Sequence, residues 1–364
     1  MKLLAKIRRK DLSKEVVLVR VDFNVEPTGD SLRLRSALPT VKYLLDKNAR
    51  VVLLSHKGRP AGCDESLTLR DAGVEFGRIL GRPVQFLTGF DFQNLKREIQ
   101  KSSSGTVMLL ENLRFNPGEE KNDRGFANQL ASLGTMFVND AFAVSHRANA
   151  SVAAITEFLP SYAGLRFSEE ITILARVMKR PAHPLIIIIG GAKAADKLGM
   201  IDYFWEKADW FILGGGPANT VLKAKGVDIQ SSIHDADNLE FAKKLARSEK
   251  MLTPHDWISG DRKILDIGPS SVRRFGQLIA EAKTIIWNGP MGQFEDPRYR
   301  AGSAGIAAAI AKSGAFSVVG GGETVELITE LGLEKKFSFL STGGGAMLQF
   351  LAGKKLPGLE ALNS

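Results

Sequence analysis

The sequence predicts an α/β protein made of two doubly wound parallel-sheet units joined by a helix, with an active-site cleft between them. Three observations carry this. Short β-branched apolar runs alternate with amphipathic stretches along the whole chain, which is the strand, helix, strand signature of a parallel sheet covered on both faces. The punctuation after those runs changes from basic residues in the first half to glycines in the second. A charged stretch bounded by Pro160 and Pro181 separates the halves. At 364 residues, 44% of them apolar, the chain is long enough for two cores.

In the first half the runs are VVLVRVDFN (16–24), RVVLLSH (50–56), VMLLENLRF (107–115) and MFVNDAF (136–142). Between them, Leu38 to Leu45 and Leu69 to Leu80 repeat apolar residues at three and four, as helices do. The second half supplies LIIIIGG (185–191), WFILGGG (210–216), TIIWNG (284–289), FSVVGGG (316–322) and FLSTGGG (339–345). PSYAGLRFSEEITILARVMKRP (160–181) reads as a proline-started helix, and we take it as the connector between two Rossmann-like halves.

Bulk properties narrow the function. The start, MKLLAKIRRK, has no apolar core of a signal peptide, and the longest apolar run, Leu185 to Ile189, is far below the roughly 20 residues that span a bilayer. A cytoplasmic protein without membrane contact is expected. The single cysteine, Cys63, excludes an internal disulfide and fits a surface thiol in a reducing compartment. The net charge is +9, and residues 1–160 hold 24 Lys/Arg against 18 Asp/Glu, without basic runs interleaved with aromatics. A small anionic substrate on the first half accounts for this as well as nucleic acid does.

In open parallel sheets ligands sit beyond the carboxyl ends of the strands. In the first half those positions carry Asp22, Asn24, Arg33 and Arg35, then His56 and Arg59, then Arg114, then His146 and Arg147. One arginine there is ordinarily a solvated or paired side chain. Four at successive strand ends imply a multiply charged anion, because each guanidinium offers a planar fork to carboxylate or phosphate. In the second half the strand ends are bare backbone, whose N–H groups can approach phosphates closely. GGAKAADK (190–197) adds Lys193 and Lys197, four apart on one face of a helix expected to begin near Ala194. A nucleotide is the natural ligand. No P-loop and no protein-kinase motif occurs. The arrangement predicts phosphoryl transfer across a cleft between an anion half and a nucleotide half.

Twelve segments, in order along nearly the whole chain, make the sequence resemble the phosphoglycerate kinase family: VRVDFNV (19–25), RLRSALPT (33–40), SHKGRP (55–60), LLENLRF (109–115), FVNDAF (137–142), HRANAS (146–151), GGAKAADK (190–197), GGGPANT (214–220), LDIGP (265–269), IIWNGPMGQFE (285–295), GGGETV (320–325) and STGGGAM (341–347). The resemblance implies a phosphoglycerate site at Asp22, Phe23, Asn24, Arg33, His56, Lys57, Gly58, Arg59, Arg114 and Arg147. It implies a nucleotide site at Gly190, Gly191, Lys193, Lys197, Gly214, Gly215, Asn288, Glu295, Gly321, Gly322, Glu323 and Thr324. Glu295 would take the ribose hydroxyls and Glu323 the Mg²⁺ that accompanies ATP or ADP. Arg33, Lys197, Gly321 and Gly322 would grip the phosphoryl group in flight. The implied partners are 3-phosphoglycerate and ATP, with no nucleic acid and no membrane, acting on a monomer. The implied domains are 1–163, a helix at 164–181, 182–346, and a C-terminal segment 347–364 returning to the first domain. Hinges are expected at Ala141 to His146, at the connector and at STGGGA.

Departures from the family pattern are Glu323 for a usual Asp, Pro217 in GGGPA, Ala143 and Val144 for Gly-Thr, Asn149 for a frequent His and Ile264 for a common Gly. A segment between Lys225 and Asp266 is about 20 residues shorter than usual, the length of a strand and turn. Two other readings are a catalytically silent member and a nucleic-acid binder using the basic half. Both are disfavoured, the first because every basic residue of the inferred site is present, the second because the basic enrichment is mild and lacks runs interleaved with aromatics; it would show a steep salt dependence of binding.

Overall fold

The structure, a computed structural model, describes residues 1–7, 12–13, 15–25, 32–192 and 195–363. The chain divides into two compact units, Met1–Thr172 with Lys355–Ser364, and Ile173–Lys354.

Unit 1 holds β1 (Val16–Arg20), β2 (Arg50–Leu54), β3 (Val84–Leu87), β4 (Val107–Leu110), β5 (Met136–Asn139) and β6 (Ser161–Ala163) in the order β3-β4-β2-β1-β5-β6. Every pairing is parallel. Alternate residues of β1 explain why both faces are covered. Val17 and Val19 join one buried cluster with Val41, Phe76 and Leu109, while Val16 and Leu18 join another with Leu95, Phe126 and Leu130. Such a strand reads as a continuous apolar run. The chain leaves β1 for β2 on one flank and returns to β5 on the other, so the strand order reverses at β1 and the loops there part at the carboxyl edge.

Unit 2 repeats the plan with β7 (Leu185–Ile189), β8 (Trp210–Leu213), β9 (Met251–Leu252), β12 (Thr284–Asn288), β13 (Phe316–Gly320) and β14 (Phe339–Leu340), ordered β14-β13-β12-β7-β8-β9 and all parallel. β10 (Trp257–Gly260) and β11 (Lys263–Ile267) form a separate antiparallel pair in the region the sequence marked as shortened. Reversal here falls at β7, between β8 and β12.

The nine strands read from the sequence are all present, and each ends at or before the first of the polar or glycine residues that close its run. β3, β6, β9, β10 and β11 escaped that reading: β3 and β6 lie at sheet edges and are only partly buried, β9 has two residues, and β10 and β11 form a partly exposed pair outside the two large sheets. The connector differs in its start. Residues 161–163 pair with β5 instead of opening a helix, and the helix runs Leu165–Lys179. Two side chains from unit 1 set that start, Thr40 Oγ1 accepting from the Leu165 N–H (2.9 Å) and Asp140 Oδ1 from the Phe167 N–H (3.1 Å). The helix expected near Ala194 spans Ala195–Phe204.

Candidate active site

In unit 1 the residues after β1, β2 and β4 meet. Asp22 Oδ2 lies 3.3 Å from Arg33 Nη1, which also donates to the Asn24 carbonyl (2.9 Å). Asn24 Oδ1 accepts from the Gly58 N–H (2.9 Å), so the first two strand-end loops are tied together. Gly58 sits at φ +61°, and a Cβ there would approach the Leu67 side chain to 2.8 Å, which is why glycine stands here. Arg114 is buried, donates to the Gly58 carbonyl and pairs through Nε with Glu120 (3.3 Å). Arg59 is exposed and carries no such tether.

His56 is 3% exposed. Burial first, then the charges of Arg20, Arg114, Arg33 and Arg147, hold its pKa well below the ordinary imidazole value. Of these four guanidinium groups Arg20 touches the ring, its Nη2 lying 3.1 Å from Nδ1, and the other three act on it through charge. Arg147 Nε donates to His146 Nε2 (3.2 Å), so His146 steadies an arginine. Two expected binding residues are also held by the frame. The Phe23 ring is wholly buried against Phe76 (centroids 4.9 Å) and its N–H donates to Ser55 Oγ (2.8 Å); Lys57 Nζ donates to the Ser66 carbonyl (3.2 Å).

In unit 2 a cavity of about 370 Å³ opens beyond the strand ends, with Gly191, Gly215, Glu295 and Glu323 in its lining. The backbone is packed as tightly as glycine permits: a Cβ on Gly190 would fall 2.0 Å from the Pro290 carbonyl oxygen, and one on Gly215 2.6 Å from that of Gly191. Lys197 is buried and its ammonium donates to the Gly190 carbonyl, which fixes it at the end of β7. Lys193 lies outside the described residues. Asn288 ends β12 with a buried Nδ2 that has no partner among the described residues, a donor left for a ligand. Gly321 (φ +95°) and Gly322 begin the helix Gly322–Glu330, whose first-turn N–H groups suit phosphate. Thr324 is fully buried and its Oγ1 accepts from the Gly289 N–H (2.9 Å), so it braces the turn. Gly214 is buried beside Met291.

No group of three or more metal-ligating side chains occurs among the described residues. Exposed Glu323, in the first turn of its helix, is one hard oxygen donor of the kind that would hold a divalent cation such as Mg²⁺.

Asp266 was missed by sequence reasoning. It lies in the cavity wall, 1% exposed, and accepts from the Gly302 (2.6 Å) and Ile267 (2.9 Å) N–H groups, while burial raises its pKa to about 6. Ile233 and Ile264 add apolar lining from the shortened region.

A family model described as phosphoglycerate kinase matches residues 7–354. The chain belongs to the phosphoglycerate kinase family. It is an enzyme of the phosphotransferase class. It is similar to the phosphoglycerate kinase of Dictyoglomus turgidum, 43% identical across 99% of this chain and 98% of that one, and to that of Thermomicrobium roseum, 39% identical across 98% of each. Solved phosphoglycerate kinase structures superpose on it: that from Pyrococcus horikoshii with a TM-score of 0.89 at 30% identity over 100% of this chain and 98% of that one, and that from Coxiella burnetii with 0.83 at 32% over 99% and 98%. Among the described residues no helix is long and apolar enough to cross a membrane.

Proposed function

We propose that this chain catalyses the reversible, Mg²⁺-dependent transfer of a phosphoryl group between 1,3-bisphosphoglycerate and ADP, giving 3-phosphoglycerate and ATP in glycolysis and gluconeogenesis. One observation supports it most: guanidinium groups converge on a buried, uncharged histidine in one unit, while the other offers a glycine-walled cavity with two carboxylates at its rim. The first suits a small carboxylate phosphate, the second a nucleotide.

No general base is needed, because the attacking oxygen is a carboxylate in one direction and an ADP phosphate in the other, both ionised near neutrality. Positioning and charge stabilisation then supply the rate. In this reading Arg33, Arg59, Arg114 and Arg147 hold the phosphoglycerate with Asp22, Asn24 and His56 fixing its orientation. Lys197 and the N–H groups at Gly321 and Gly322 meet the charge on the transferred group, Asn288 donates to the nucleotide and Glu295 takes its ribose. Mg²⁺, held by Glu323 when the nucleotide binds, would neutralise phosphate charge. The acceptor and the nucleotide are assigned to different units, so turnover includes a step that brings them together and excludes water, with hinges at 141–146, the connector and 341–346. A cytoplasmic monomer is the working form, and the exposed Cys63 thiol fits a reducing compartment.

The test is turnover of 3-phosphoglycerate with Mg-ATP, coupled to reduction of the acyl phosphate. The wild type turns over; Arg33→Ala and Lys197→Ala each lose at least about a hundredfold, the cost of one lost charge-stabilising donor at about 2.7–4 kcal/mol. A silent wild type with Mg²⁺ and Mn²⁺, and with ATP and GTP, would sink the proposal.

A further inference from the structure

One charged group beside His56, Arg20, takes no part in the mechanism above. Arg20 ends β1 with 1% exposure, beside Glu119 (1%) from the loop after β4 and Ser151 (0%) from the loop after β5. Each of its three nitrogens is engaged. Nε donates to Ser151 Oγ (2.8 Å), Nη1 donates to the Val21 carbonyl, and Nη2 stands 3.1 Å from His56 Nδ1 and 4.0 Å from Glu119 Oε1. Ser151 relays the charge, its hydroxyl donating to Glu119 Oε1 (2.6 Å) and its N–H to Glu119 Oε2 (3.0 Å).

A guanidinium has donors and no acceptor, so the contact at 3.1 Å requires His56 Nδ1 to accept. The ring proton then resides on Nε2. That nitrogen makes no hydrogen bond to a described residue, nor does it figure among the buried polar atoms left without a partner. We propose that Arg20 is a positioning residue which locks His56 in the Nε2–H tautomer, so that the ring meets phosphoglycerate as a fixed, uncharged donor. This rests on the phosphoglycerate reading of unit 1. The reverse tautomer would turn a lone pair toward the anion, and a protonated ring would add charge to a patch that already holds Arg33, Arg114 and Arg147. Burial, then the charges of Arg20 and of those three, favours the neutral ring, and Glu119, paired with Arg20, is the carboxylate that opposes them.

The measurement is the ¹⁵N spectrum of the imidazoles in the full ligand-free chain. The expected result is one His56 pattern, Nε2 protonated and Nδ1 bare, unchanged between about pH 6 and 8. A protonated Nδ1, averaged tautomers or a titration in that range overturns the proposal, whatever any variant does. Arg20→Lys, which keeps the charge and removes the fork, should average the tautomers and raise KM for 3-phosphoglycerate about tenfold, with kcat and KM for ATP within about twofold. A fall in kcat with that KM unchanged counts against the positioning role. If the tautomer is as proposed but 3-phosphoglycerate leaves the Nε2–H signal unmoved, the lock stands and the assignment of His56 to the phosphoglycerate site falls.

Discussion

At the scale of single residues, chemistry in this protein is set by what surrounds a group more than by the group itself. Arg20 sits inside an apolar strand, and desolvation lowers its pKa against the pull of Glu119 and Asp22. Removing one partner of a buried pair leaves the other charge uncompensated. Arg20→Met should therefore cost about 3–5 kcal/mol in chemical unfolding of unit 1, and adding Glu119→Gln should recover part of it. Unchanged stability in the single variant would mean that the pair is already hydrated. Glu323 tests the metal reading in the same way. Glu323→Ala should raise the Mg²⁺ concentration for half-maximal turnover about tenfold and Glu323→Asp by less than about threefold, since only the first removes the oxygen donor. Equal effects would place the metal elsewhere.

At the scale of elements, the turns after the strands are where packing leaves no choice. Gly190 follows β7 with the Pro290 carbonyl in the space a Cβ would need, whereas Gly62 has nothing within 4 Å. Gly190→Ala should destabilise unit 2 by about 1–3 kcal/mol and Gly62→Ala should stay within about 0.5, as thermal midpoints would show. The start of the helix Leu165–Lys179 carries a pH dependence. Asp140 is 6% exposed, its Oδ2 has no partner among the described residues, and burial raises its pKa from 3.8 to about 6. Between those values the native state keeps a proton that the unfolded chain has lost, so this carboxyl lowers stability as pH rises from about 4 to about 6 and contributes nothing further above that. The full effect is at most about 3 kcal/mol. Asp140→Asn removes the titration, and its stability relative to wild type should rise from pH 4 to pH 6 and then level. A flat difference would show the carboxyl ionised throughout.

At the scale of the whole molecule, the proposed assignment of one ligand to each unit predicts separable stabilities. A ligand that binds only the native state stabilises by RT ln(1 + [L]/Kd), about 2.7 kcal/mol at a hundredfold excess over Kd. 3-Phosphoglycerate should thus raise the unfolding midpoint of Met1–Thr172 and ATP that of Ile173–Lys354, read with one probe in each unit. Trp205 or Trp287 can report on the second unit, and a label at Cys63 on the first. Stabilisation of both units by 3-phosphoglycerate alone would contradict the assignment of sites. The net charge of +9 belongs to this scale too. Screening predicts that added salt raises KM for phosphoglycerate, while a steep salt dependence of binding to oligonucleotides would revive the nucleic-acid reading.

The strands, their parallel order of appearance and the two kinds of strand end were legible because each is local: a β-branched run, then the residue types that follow it. Leu38 to Leu45 and LIIII at 185–189 appear in the structure at the residues the pattern marked. Arg33, His56, Arg114 and Arg147 were legible as a set for the same reason, each following its own strand. What sequence could not show was which polar groups point inward. Arg20, Asp140 and Asp266 look in the sequence like any charge beside an apolar run, and Phe23 and Thr324 look like ligand contacts because they adjoin them. Only the packed structure, by removing water from some of these atoms and bringing partners from distant strands to others, decides that Phe23 is core, Thr324 a brace, His56 neutral and Asp266 a protonatable wall. Burial and hydrogen bonding between residues far apart in the chain set those states, and neither leaves a local trace.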